Sequence, residues 1–74
     1  MISMIRQDVS SSNIRSVGYD NATRILEIEF HSEGRVYQYS DVSEDVYTSL
    51  MDAPSKGKYF AAFIKDKYST TKIR

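Results

Sequence analysis

The chain has 74 residues, 41% of them hydrophobic and 27% charged, and its ten basic and ten acidic residues leave no net charge. A chain of this length, with no signal-peptide pattern and no apolar run near the roughly 20 residues of a membrane span, predicts one cytoplasmic domain over residues 1–74 without membrane contact. The lack of cysteine and the single His31 exclude disulfides, thiolate chemistry and histidine metal clusters, so we expect no metal and no other cofactor.

Three strands are predicted in the first half of the chain. A polar segment of three serines and an asparagine leads into a strand over residues 14–19. Turn-forming Asp and Asn side chains follow, and apolar residues then alternate with glutamates over residues 24–30, which is the clearest strand pattern in the chain. A tight turn with Gly34 at positive φ leads to a third strand over residues 36–41.

The alternation of side chains also predicts how the second and third strands pair. A two-residue loop at residues 33–34 sets Phe30 opposite Tyr37 and Ile28 opposite Tyr39. This register separates apolar from polar side chains better than one shifted by a single residue. Both tyrosines are therefore expected on the core face, with their rings buried. The glutamates of the second strand are expected on the opposite, solvated face, without a metal or glycosidase role.

Two amphipathic helices are predicted in the second half. Ser43 caps the first helix, whose opening turn holds Glu44 and Asp45, and Pro54 ends it. The second helix runs from Ser55 to about residue 68, and its buried stripe consists of Phe60, Phe63, Ile64 and Tyr68. We therefore expect an α+β domain with a three-stranded antiparallel β-meander followed by two helices packed on one face, in the order β-β-β-α-α.

The start of the second helix carries positive charge where helices disfavour it. Lys56 and Lys58 lie in the first turn after the capping Ser55, where the helix dipole already places partial positive charge and free N–H groups. With Gly57 permitting close backbone approach, this corner suits a phosphate or another anion. The alternative is that both lysines lie over aromatic surface and only aid solubility. The glycine spacing and preceding strand of a Walker A loop are missing, which argues against nucleotide hydrolysis.

The charges are segregated along the chain. Up to Pro54, four arginines oppose nine acidic residues, a net charge of −5, whereas from Ser55 onward six basic residues oppose Asp66 alone, a net charge of +5. Such asymmetry indicates a basic face suited to a polyanionic partner. Two alternatives remain open: folding interleaves the two signs, or a basic last helix simply faces water.

Several short motifs together resemble the KTSC domain family. In chain order they are Ser11-Ser12-Asn13-Ile14, Gly18-Tyr19-Asp20, Leu26-x-Ile28-x-Phe30, Tyr37-x-Tyr39, Val42 and Ser55-Lys56-Gly57-x-Tyr59-Phe60. The resemblance covers about residues 9–68. It implies a domain that occurs as a C-terminal extension of some lysyl-tRNA synthetases and as small stand-alone bacterial and phage proteins. The family has no established activity, and its attachment to a tRNA synthetase implies RNA as a partner.

These observations lead to the hypothesis of a non-catalytic module that binds RNA, or alternatively single-stranded DNA, with modest and salt-dependent affinity. The residues expected to contact nucleic acid are Ser55, Lys56, Gly57, Lys58, Lys65, Lys72 and Arg74. Tyr37 and Tyr39 are candidates for base stacking only if the helices leave their part of the sheet open. The competing hypothesis is a protein-interaction or accessory module of a bacterium or phage, which docks on a larger protein or self-associates. An enzyme is not expected, because the serines at residues 10–12 have no general base nearby in sequence.

Overall fold

The computed structural model describes residues 6–74. Its elements in chain order are β1 (Gln7–Asp8), β2 (Ile14–Asp20), β3 (Ile25–Phe30), a 3₁₀ turn (Ser32–Gly34), β4 (Val36–Tyr39), α1 (Glu44–Asp52), α2 (Lys56–Tyr59) continued by a π-helical turn (Phe60–Ile64), and β5 (Thr70–Lys72). The α+β class is therefore confirmed. Within this described range, no helix combines the length and apolar character needed to cross a bilayer.

In the described part of the chain the sheet has five antiparallel strands, and their spatial order is the chain order β1-β2-β3-β4-β5. The prediction of three strands was therefore incomplete, because a further strand lies at each edge. Gln7–Asp8 is too short to show a period, and all three residues of Thr70–Lys72 are exposed, so no alternation marks them as a strand. Both are edge strands that exist through pairing with a neighbour: β1 pairs with β2, the next strand of the chain, and β5 pairs with β4, which is distant in sequence.

The hairpin between β3 and β4 has a longer loop than predicted. Its connection is the four-residue segment 31–34, closed by a hydrogen bond from the Phe30 N–H to the Arg35 carbonyl at 2.8 Å. Two of its residues have positive φ, Glu33 at 59° and Gly34 at 62°. The predicted register was wrong by two residues, since the observed pairs are Ile28 with Tyr37 and Leu26 with Tyr39. Because side chains alternate with a period of two, the tyrosines keep the face that was predicted for them.

The core lies between one face of the sheet and the helices. Fully buried side chains from every layer meet there, and the buried cluster consists of Ile14, Val17, Leu26, Ile28, Tyr39, Val42, Leu50 and Ile64. Helix α1 begins as predicted, because the Ser43 hydroxyl accepts a hydrogen bond from the Val46 N–H at 3.4 Å. Its single fully buried residue, Leu50, fastens the helix to the sheet.

The second helical segment ends earlier than predicted. Its last turn is π-helical, with a hydrogen bond from the Lys65 N–H to the Phe60 carbonyl at 2.8 Å, and the helix stops at Ile64. A tight turn follows, closed by the Lys67 N–H and the Ile64 carbonyl at 3.0 Å. Ile64 is fully buried, but Phe63 is 59% exposed, so its assignment to the buried stripe was wrong. The π-helical turn adds one residue to the helical repeat, so the regular period of 3.6 residues that predicted the buried stripe does not hold there.

The sheet face away from the helices holds a polar network. The Ser16 hydroxyl accepts a hydrogen bond from Arg6 Nε at 2.9 Å and donates to Glu29 Oε1 at 2.8 Å. Arg6 also pairs with Glu27, which is only 6% exposed, and Gln38 Nε2 donates to the same carboxylate at 2.9 Å. The expectation of solvated glutamates was therefore wrong, because Arg6, which directly precedes β1, lies within ion-pair distance of both carboxylates.

Candidate nucleic-acid interface

The lysine corner, residues 55–58, begins α2 as the sequence predicts. The Ser55 hydroxyl accepts a hydrogen bond from the Lys58 N–H at 3.4 Å, so Ser55 is the N-cap. The Lys58 side chain is exposed. Lys56 is half-buried, and its Nζ donates to the carbonyl of Ala53, the C-cap residue of α1, at 3.2 Å. One lysine therefore stabilises the negative end of the preceding helix, while the other extends into solvent.

Gly57 joins this corner to the segment that precedes β2. A Cβ at this position would lie 3.5 Å from Asn13 Nδ2 and 3.8 Å from the Ser11 hydroxyl, so the glycine packs against that segment. Beside it is a polar hollow of about 360 Å³, lined by Ser10, Ser11, Ser12, Pro54, Ser55 and Lys56. Ser55, Lys56 and Gly57, three of the residues predicted to contact nucleic acid, thus form a packed junction with one open side lined by hydroxyl groups.

A larger depression, the aromatic cleft, opens between the β3–β4 hairpin and the end of the π-helical turn. Its volume is about 630 Å³, within the range of about 300–1,000 Å³ that is typical of small-molecule sites. Among residues 6–74, four Phe and Tyr rings line it together with eight exposed polar residues; these are Ser12, Asn13, Phe30, His31, Ser32, Arg35, Tyr37, Tyr39, Phe60, Lys65, Asp66 and Thr70. Because Ser12 lines both this cleft and the polar hollow, the two depressions are neighbours.

The four rings hold each other in place by edge-to-face packing. The Phe60 ring lies 5.3 Å from Phe30 and 5.6 Å from Tyr39 between centroids, and Phe30 lies 5.9 Å from Tyr37. Tyr39 is only 4% exposed, and burial, with smaller contributions from Tyr37 and Asp66, raises the pKa of its hydroxyl to about 12. Tyr39 therefore forms an uncharged floor of the cleft, whereas Tyr37 is half-exposed.

The two tyrosines thus have different positions. Both lie on the helix-covered face, as the sequence predicts, but the helical cover ends at Ile64 and leaves the region around Tyr37 open. Sequence reasoning missed Phe30, His31 and Arg35 as cleft residues. No local signal marks them, because the cleft exists only where the second helix stops short of the hairpin.

The charged side chains divide by residue type. Among residues 6–74, each of the five arginines forms an ion pair, whereas none of the five lysines does. Lys65 lies on the rim of the cleft, and Lys72 pairs in register with Tyr37, which places it on the same face of the sheet. Arg74 lies apart on the opposite face, where its guanidinium donates to Glu29 Oε2 at 3.1 Å. Among residues 6–74, the positive charge that has no ion-pair partner is therefore lysine charge from the last third of the chain.

The comparisons with known proteins agree on the family. The chain matches the KTSC domain over residues 10–68. A crystal structure of a KTSC domain protein from Yersinia pestis shares 47% identity with a TM-score of 0.92, covering 97% of this chain and all of that one. A protein of Stutzerimonas stutzeri is 40% identical over 65 residues, which cover 88% of this chain and 90% of the relative.

A lysine–tRNA ligase of Nostoc punctiforme is 46% identical over 57 residues, which are 77% of this chain but 10% of the ligase. The shared part is therefore a small segment of that enzyme. The motif resemblance found in the sequence is confirmed by the match over residues 10–68 and by a solved relative that superposes on nearly the whole fold. The chain belongs to the KTSC domain family.

Proposed function

We propose that this domain is a non-catalytic module that binds single-stranded nucleic acid, RNA in the first place, in the aromatic cleft. The observation that carries the proposal is the combination of an open, ring-lined depression of about 630 Å³ with lysines that have no ion-pair partner among residues 6–74. Aromatic faces stack on bases of any sequence, and free ammonium groups contact phosphates.

In this proposal, different residues of the cleft and its surroundings contact the base and the phosphates. The half-exposed Tyr37 offers a ring to a base, while Phe30 packs edge to face on that ring and is itself packed edge to face by Phe60. Lys65 on the rim of the cleft and Lys72, which pairs in register with Tyr37, supply phosphate contacts. Stacking on one aromatic side chain contributes roughly 1–3 kcal/mol per base, so a single platform with two or three lysines predicts modest affinity.

The lysine corner extends the same path. Its polar hollow shares Ser12 with the cleft, so a strand that leaves the cleft passes Ser55, the residue that begins the lysine corner. Lys58 is exposed, and hydroxyls with backbone N–H groups are suitable phosphate donors. The occurrence of related sequence within lysine–tRNA ligases, which act on RNA, agrees with this choice of ligand by association only.

The test is fluorescence anisotropy with a labelled, unstructured single-stranded RNA and the DNA of the same sequence, at about 50 and 200 mM salt. Tyr37→Leu keeps an apolar side chain but removes the ring, and it should weaken binding by about fivefold or more. Its matched control is Tyr47→Leu, because Tyr47 stacks on Tyr19 outside the cleft. Tyr47→Leu should bind as the parent does.

The charge contribution has its own matched pair. Lys65→Glu should weaken binding and lower the slope of log affinity against log salt by about one. Lys67→Glu makes the same change two residues further on, at an exposed position outside the cleft lining, and should have a smaller effect. The proposal fails if the parent binds neither RNA nor DNA, or if the Tyr37 and Lys65 variants match their controls.

One observation favours the second candidate, a protein-interaction module. Phe63 is 59% exposed, and its ring lies 4.8 Å from that of Tyr59, so the outer side of the second helical segment presents an apolar surface. Pull-down from nuclease-treated lysate compares the parent with Phe63→Ser. A partner that the parent retains after nuclease treatment and the variant loses would support this function in place of nucleic-acid binding.

A further inference from the structure

The aromatic cleft contains one carboxylate among its cationic and polar rim residues. Of the residues within 6–74 that line it, Asp66 is the only acid, and Lys65 and Arg35 are the cations. Asp66 is exposed, and none of the ion pairs formed among residues 6–74 includes it. A free carboxylate repels phosphate, so in a cleft for nucleic acid it needs a different part of the ligand as its partner.

Asp66 adopts a backbone conformation that is mildly unfavourable for residues other than glycine. Asp66 has φ of 63°, in the turn that the Lys67 N–H closes on the Ile64 carbonyl. Glycine or asparagine adopts this left-handed region more readily than other residues, although Asp is tolerated. The turn does not need a carboxylate, so its negative charge is available for recognition of a ligand.

The chemistry of the bases then decides which ligand fits. An ionised carboxylate only accepts hydrogen bonds, and it has two oxygens side by side. Guanine presents two neighbouring donors, N1–H and the N2 amino group, on its Watson–Crick edge, whereas uracil, adenine and cytosine each present one kind of donor there. Unstacked bases of single-stranded RNA are read on these edges while they stack on aromatic rings.

We propose that the aromatic cleft selects guanine, with Asp66 as the residue that determines this specificity by accepting hydrogen bonds from N1–H and the N2 amino group. This inference rests on the proposed function and names the base that the cleft prefers. The ring of Tyr37 supplies sequence-tolerant stacking, and the carboxylate of Asp66 supplies the selectivity.

The experiment uses short uridine RNAs that carry one central guanosine, inosine or adenosine, together with the all-uridine RNA. Inosine differs from guanosine by the N2 amino group alone. Because a hydrogen bond to a charged group is lost, the parent should bind the guanosine RNA about tenfold more tightly than the inosine RNA, with the adenosine and uridine RNAs no tighter than inosine. The readout is fluorescence anisotropy at constant salt.

Asp66→Asn is the matching variant, since asparagine tolerates the same backbone conformation but removes the charge and replaces one acceptor oxygen with an amino donor. It should bind all four RNAs to within about twofold of one another, with the all-uridine RNA at least as tight as for the parent, because a charge that repels phosphate is gone. Asp66→Gly, which also suits the turn, should give the same loss of preference.

The outcomes separate this inference from the proposed function. If the parent binds none of the four RNAs, the proposed function fails and the inference with it. If the parent binds all four equally, the inference is overturned while nucleic-acid binding stands. If guanosine is preferred but Asp66→Asn and Asp66→Gly keep the preference, Asp66 is not the determinant and the inference is likewise overturned.

Discussion

Replacement of Arg6 by alanine tests the polar network on the back of the sheet. Arg6 Nε donates a hydrogen bond to the Ser16 hydroxyl at 2.9 Å. The Arg6 guanidinium also pairs with Glu27, whose side chain is 8% exposed, and it lies 3.7 Å from Glu29, whose side chain is 14% exposed. Arg6→Ala leaves the Glu27 carboxylate with the Gln38 amide as its remaining hydrogen-bond donor among residues 6–74. The variant therefore tests the cost of a buried carboxylate that has lost its cation.

The magnitude follows from the burial of the partners. Removing one member of a fully buried ion pair costs about 3–5 kcal/mol, and a hydrogen bond to a charged group contributes about 1.5–3 kcal/mol. The Arg6 side chain is 24% exposed, so water enters the gap and reduces the loss, and we expect about 2–3 kcal/mol. A domain of this size has a total stability of roughly 4–10 kcal/mol, so the change is a large fraction of it.

Urea unfolding, followed by far-UV circular dichroism, measures this loss. With a slope of about 1 kcal/mol per molar urea, the midpoint should fall by about 2–3 M. Arg15→Ala is the matched control, because Arg15 is 63% exposed and only 4.0 Å from Glu29. Its loss should stay below about 0.5 kcal/mol. Equal midpoints for the two variants would refute the conclusion that Arg6 covers a buried acidic pair.

Two further predictions concern other parts of the chain. The hydrogen bond from Ser16 lowers the pKa of Glu29, and the charges of Arg6, Arg15 and Arg74 lower it further, although burial opposes them. The ionised Glu29 therefore stabilises the fold fully above the ordinary glutamate pKa of 4.5, and this stabilisation is lost as pH falls through the lower pKa of the folded state. Glu29→Gln should therefore lose less stability than the parent between neutral pH and about pH 3, as urea midpoints at each pH will measure; an unchanged pH profile would contradict this. Gly57→Ala should raise the free energy of unfolding by about 0.5–1 kcal/mol, because alanine favours the helix and its Cβ makes ordinary contacts with Asn13. Thermal unfolding measures this change, and a lowered melting temperature would contradict it.

The sequence by itself determined the features that depend on near neighbours. Alternation of Leu26, Ile28 and Phe30 marked the central strand, and serine caps at residues 43 and 55 started both helices where they were predicted. The face on which Tyr37 and Tyr39 lie also followed, because it depends only on the period of two. Capping and strand alternation act over a few residues, so a single chain contains all the information they need.

Only the tertiary structure decided the features that depend on distant partners. The edge strands β1 and β5 exist because neighbouring strands pair with them, and the hairpin register depended on a four-residue loop that its sequence did not reveal. The end of the second helix at Ile64 opened the aromatic cleft, and folding gave every arginine an acidic partner while the lysines found none among residues 6–74. Ion pairs and clefts join residues far apart in the chain, so their formation depends on how the layers pack and not on any local pattern.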